Sequence, residues 1–110
     1  MDKIFLQILT IEVDFPNGLT IGLSKLEPVT EGWVVKQKEA QNLEGREGLE
    51  KALEVATNTT RAISGYKLDE TELWDVVEIF EDEDEATIAG RLNGQMTLYQ
   101  IETGRLKWLD

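Results

Sequence analysis

Ten carboxylates and no basic residue stand between Asp69 and Glu85, and these are the groups in the chain with the most chemical potential. They are Asp69, Glu70, Glu72, Asp75, Glu78, Glu81, Asp82, Glu83, Asp84 and Glu85. The formal charge of the 110-residue chain is −11, from 22 acidic and 11 basic residues. Residues 1–68 carry −2, residues 69–85 carry −10 and residues 86–110 carry +1, so nearly all of the excess sits in one 17-residue stretch.

Three kinds of chemistry use clustered carboxylates. A pair can serve glycoside hydrolysis, but an acidic chain offers many pairs and no spacing here selects one. A cation site of the EF-hand kind needs Asp-x-Asp-x-Asp-Gly spacing, and the run Glu81–Glu85 lacks that spacing and the central Gly. The third use is electrostatic. A ridge of carboxylates resembles a phosphate track and would occupy the basic surface of a nucleic-acid-handling protein, with binding that weakens as salt rises. The competing reading is a solvated face that favours a helix start and blunts an edge strand.

The rest of the composition points away from catalysis. The chain has no His and no Cys, which removes the usual general base, the commonest metal ligand and any disulfide. Ser occurs only at Ser24 and Ser64, and there is no nucleophile elbow, P-loop or dinucleotide fingerprint. We expect a non-enzymatic protein with no catalytic residue, no metal and no cofactor. Its charge repels nucleic acid and anionic membranes at long range, so the expected partner is a basic protein. Met1–Val13 is apolar, but Gln7, Thr10 and Glu12 interrupt it and no small-residue cleavage site follows, so it does not read as a signal peptide. No run approaches the length of a membrane span. Without a secretion signal, the sequon Asn58-Thr59-Thr60 reads as chance. The expected location is the cytoplasm.

The elements that would position the carboxylates follow from periodicity. Residues 3–13 read as an internal strand, apolar on both faces, followed by a turn at Asp14-Phe15-Pro16-Asn17-Gly18. Leu19–Leu23 alternates as a second strand, Lys25–Glu31 is a loop around Pro28, and Gly32–Lys38 is a third strand. From Leu43 to Thr57 the period changes: Leu49, Ala52, Leu53 and Ala56 form a helical stripe. Arg61–Leu68 and Glu72–Glu81 form a hairpin about Asp69-Glu70. A second helix runs from about Asp84 to Asn93, with Gly94 to end it. Gln95–Ile101 and Arg105–Leu109 close the chain as a last hairpin.

The expected fold is one α+β domain over 1–110: an antiparallel or mixed sheet, built as a three-strand meander plus hairpins, with two helices on one face. A chain of this size buries enough surface for its own core. Trp33 and Trp74 sit in alternating strands and belong to that core. Trp108, with Met96 and Tyr99, lies in the terminal hairpin and is a candidate for self-association as a homodimer. In that alternative the chain is an oligomeric structural or assembly module, and the acidic ridge only gives solubility.

One resemblance adds to this reading. It is carried by Glu31-Gly32-Trp33-Val34-Val35, Gln37, Gln41-Asn42 and Gly48-Leu49, then by Val77-Glu78-Ile79-Phe80 and Glu85-Ala86, and by Gly90 to Gln95 and Tyr99. Over about residues 31–101 the chain resembles small acidic proteins encoded by bacterial phages and other mobile elements. The resemblance implies a mobile-element origin, and by analogy an inhibitor of host defence enzymes or DNA-binding proteins. It assigns a role to no residue.

Overall fold

In the computed structural model, the described residues are Ile8 and 18–109. They form eight strands and two helices in an α+β fold. The strands are β1 (Leu19–Gly22), β2 (Glu27–Pro28), β3 (Trp33–Lys36), β4 (Leu43–Glu44), β5 (Ala62–Leu68), β6 (Thr71–Phe80), β7 (Thr97–Gln100) and β8 (Arg105–Trp108). The helices are α1 (Gly45–Thr57) and α2 (Glu83–Leu92). Every described strand pair is antiparallel, in the order β2-β1-β5-β6-β3-β7-β8, with β4 also on β6.

The long strand β6 is the centre of this sheet. β5 pairs with one side of it, and β3 and β4 share the other. The expected meander does not form among the described strands, because β1 pairs with β2 and β5 while β3 pairs with β6 and β7. The expected strand over residues 3–13 and the turn that follows lie outside the described residues, except for Ile8 and Gly18. Ile8 is helical and fully buried, so the strand reading is corrected at that position. Two short strands also replace expected features: β2 within the Pro28 loop, and β4 where the first helix was expected to start.

Both helices pack on one face. Strand pleat sends alternate side chains to opposite sides. On one side lie Leu19, Ile21, Ile63, Trp74 and Val76, covered by Leu49, Ala52, Leu53 and Ala56 of α1. Farther along the same face, Trp33, Val35 and Leu98 pack on Ala86 of α2. Gly65 allows this packing, because a Cβ there would run into the Trp74 ring directly across the ladder. The opposite face carries Val34, Ala62 and Val77, with Ile79 and Ile101 packed against them.

Local signals set the ends of these elements. Asp69 turns the β5–β6 hairpin with φ of 58°, in the left-handed region that Asp tolerates better than most residues. Asp82 caps α2, its Oδ2 accepting the Glu85 N–H at 2.9 Å, and Glu83, Asp84 and Glu85 fill the first turn where the helix dipole favours negative charge. Between β3 and β4 the chain leaves the ladder for Gln37–Asn42 and then rejoins the same neighbour, β6. Two backbone bonds tie this excursion to β6: Gln37 N–H donates to Val76 O, and Val76 N–H donates to Ala40 O, each at 2.8 Å.

Candidate functional site

The acidic residues do not form one ridge. Asp69, Glu70 and Glu72 stand at the hairpin end of β6, while Glu78 and Glu81–Glu85 stand at its other end. From Thr71 to Phe80 the strand spans about 30 Å, at roughly 3.3 Å per residue. Because β6 is central, its carboxylates do not blunt a sheet edge either.

Asp75 leaves the group altogether. It is 0 % exposed, and its Oδ1 accepts the Asn42 N–H at 2.7 Å. Its Oδ2 lies 3.4 Å from Lys36 Nζ and accepts no hydrogen bond. Its position in β6 places it between Leu73 and Val77 on an apolar face, and that pattern was the available signal of its burial. The expectation that it meets a partner is therefore corrected: it is a buried anion with an internal counter-ion. Glu83 is also committed, since Lys107 Nζ donates to its Oε2 at 2.9 Å and to Thr87 Oγ1 at 2.8 Å. What remains near α2 is a compact set: Glu78, Glu81, Asp82, Asp84 and Glu85 are exposed and have no ion-pair partner among the described residues.

The face of the sheet opposite the helices carries a feature that periodicity did not single out. Thr20 of β1, Ser64 of β5 and Asp75 of β6 lie directly opposite one another, and Lys36 of β3, opposite Val77, reaches Asp75 diagonally. The Thr20 and Ser64 hydroxyls lie 2.9 Å apart. Lys36 Nζ sits 5.3 Å from the centre of the Tyr66 ring, and Tyr66 Oη donates to Asn42 Oδ1 at 3.1 Å. This row forms part of the floor of a groove of ≈ 1030 Å³, whose lining includes Val34, Tyr99 and Ile101. The groove depends on strand order, which brings together residues as distant in sequence as Thr20 and Tyr99. No sequence window contains it.

The terminal hairpin is exposed. Met96 is 71 %, Tyr99 43 % and Trp108 69 % exposed, joined by Leu106 at 55 %. β8 lies at the end of the strand order, and among the described residues only β7 pairs with it. Trp33 and Trp74, by contrast, are buried in the core. No described helix is long and apolar enough to cross a membrane. Comparison with protein-family models, curated proteins and solved structures yields no match to this chain.

Proposed function

We propose that this chain is a non-enzymatic binding module that inhibits a partner by covering a basic surface, of the kind nucleic-acid-handling proteins present. The observation that carries this reading is the set of exposed carboxylates, Glu78, Glu81, Asp82, Asp84 and Glu85, none with a counter-ion among the described residues. A rigid strand end and a capped helix start hold these charges together, so a cationic partner meets a preorganised field rather than a mobile tail. The three carboxylates at the far end of β6 are too distant to share the same small footprint.

The test is a pull-down from bacterial lysate with the wild type and with E81Q/D82N/D84N/E85Q, at low and high salt. Asn at position 82 keeps a capping oxygen, so the fold is retained. The expected result is capture of a nucleic-acid-binding protein by the wild type alone, and only at low salt. Equal capture by the neutralised protein would refute the reading.

A second reading, self-association as an assembly module, is favoured by the exposed Met96, Tyr99 and Trp108. Apolar contact of that kind survives high salt, so sedimentation at high ionic strength separates the two. Under this reading the neutralised and wild-type proteins form the same oligomer.

A further inference from the structure

We propose that the free edge of β8 is a docking site for an extended segment of another protein, added as a further strand, with apolar side chains facing Leu106 and Trp108 and a carboxylate facing Arg105. This goes beyond the acidic cluster but rests on the reading of the chain as a binding module.

The backbone sets the geometry. Leu109 N–H donates to Met96 O at 2.8 Å, and the β7–β8 register continues as Leu98 against Lys107 and Gln100 against Arg105. In an antiparallel ladder the inward-bonding residues alternate, so Arg105, Lys107 and Leu109 bond toward β7. Leu106 and Trp108 therefore aim their N–H and C=O groups away from β7, at the open edge. The same two residues carry the exposed apolar side chains, 55 % and 69 % exposed, on the face shared with Tyr99. Among the described residues, an edge without a strand partner and an apolar strip thus coincide on one strand.

Sheet edges are commonly guarded by an outward lysine. Here Lys107 is turned onto α2 and held by Glu83 and Thr87. Arg105 remains exposed, its guanidinium 6.0 Å from the centre of the Trp33 ring and without a carboxylate partner among the described residues. On a chain of charge −11, an exposed cation with no counter-ion marks where an incoming carboxylate is favoured. In an added antiparallel strand, the position opposite Arg105 is a non-hydrogen-bonded pair, the closer of the two pair types.

A second copy of this chain fits the edge poorly in the two registers that overlap β8 most fully. A two-fold pairing that continues the sheet must keep like faces together. Centred on Leu106, it sets Arg105 of one copy against Lys107 of the other. Centred on Lys107, it sets the two Lys107 side chains against each other. Both place like charges directly across the ladder, which is destabilising.

The experiment uses a synthetic peptide of about seven residues, a typical strand length, with valine alternating with threonine and one central glutamate. Amide hydrogen exchange of the full chain is followed by NMR as the peptide is added. Exchange at Leu106 and Trp108 should slow by about tenfold or more, while Lys107, already bonded to β7, changes little. The same peptide with lysine for glutamate, or with alternate backbone nitrogens methylated, should bind about tenfold more weakly. Leu106→Pro removes only an outward donor, which an edge strand tolerates, and should abolish protection at Trp108 without unfolding the protein. E81Q/D82N/D84N/E85Q should bind the peptide normally.

Normal binding by Leu106→Pro, or equal binding of the methylated peptide, would overturn the site. Equal binding of the lysine peptide would overturn the carboxylate preference. Loss of peptide binding in the neutralised variant would move the contact to the acidic cluster. Protection of Leu106 and Trp108 in the free protein, with a dimer by sedimentation, would assign the edge to a second copy. The neutralised variant leaves β8 intact, so failure of the edge and failure of the acidic surface are read separately.

Discussion

Asp75 reaches across to the backbone N–H of Asn42 at 2.7 Å, and so fastens the end of the Gln37–Asn42 excursion to the central strand. Asn42 has φ of 55°, a conformation in which its N–H leaves the regular ladder and needs another acceptor. A carboxylate that resembles a surface charge in the sequence is a structural clamp in the fold. Lys36 and Tyr66 complete it from the neighbouring strands.

Replacing Asp75 separates the hydrogen bond from the charge. Asp75→Ala leaves the Asn42 N–H without its acceptor and Lys36 without its counter-ion, and should cost about 1–3 kcal/mol in urea unfolding. Asp75→Asn retains an acceptor oxygen and should cost less. Equal losses for the two variants would show that the charge, rather than the hydrogen bond, holds the excursion in place.

Leu53 is 1 % exposed beneath α1, against the face that carries Ile63 and Trp74. Leu53→Ala should destabilise by about 2–5 kcal/mol, as cavity-forming core substitutions do. Calorimetry or denaturant titration would check it. A loss below about 1 kcal/mol would mean that the site collapses around the missing atoms or that α1 contributes little to the core.

Gly65 tests how tightly β5 and β6 meet. A Cβ at this position overlaps the Trp74 ring. Gly65→Ala should therefore displace the indole, costing about 1–3 kcal/mol by overpacking, with a shift in near-ultraviolet circular dichroism. An unchanged spectrum with unchanged stability would show that the ring has room to move.

Several elements were legible because their signals are local. The stripe Leu49, Ala52, Leu53 and Ala56 marks α1, and all four are buried as expected. The hairpin about Asp69-Glu70 and the stop at Gly94, with φ of 68°, depend on nearby turn chemistry. Strand neighbours were not legible, because β3 pairs with Phe80 and Gln100, and no window contains both ends of such a pair. The row of Thr20, Ser64, Asp75 and Lys36 was hidden for the same reason. The acidic stretch was legible as charge, but its division between two ends of β6 required knowing how far the strand extends. Asp75 was misread by treating its type as decisive, when its apolar neighbours at alternate positions pointed inward.

The central place of β6 also has a kinetic consequence. β5 and β6 can zip together through a short local turn, whereas Trp33 must wait for partners at positions 80 and 100. Closing those long loops costs chain entropy before any contact compensates for it. We therefore expect the β5–β6 hairpin to serve as a template and β3 to dock late. Truncating Val76 should slow refolding, while truncating Leu98 should mainly hasten unfolding; the reverse pattern in a chevron analysis would reject this order. Until β3 docks, the apolar run Trp33-Val34-Val35 stays exposed to other chains, which makes it the segment most open to misassembly at high concentration.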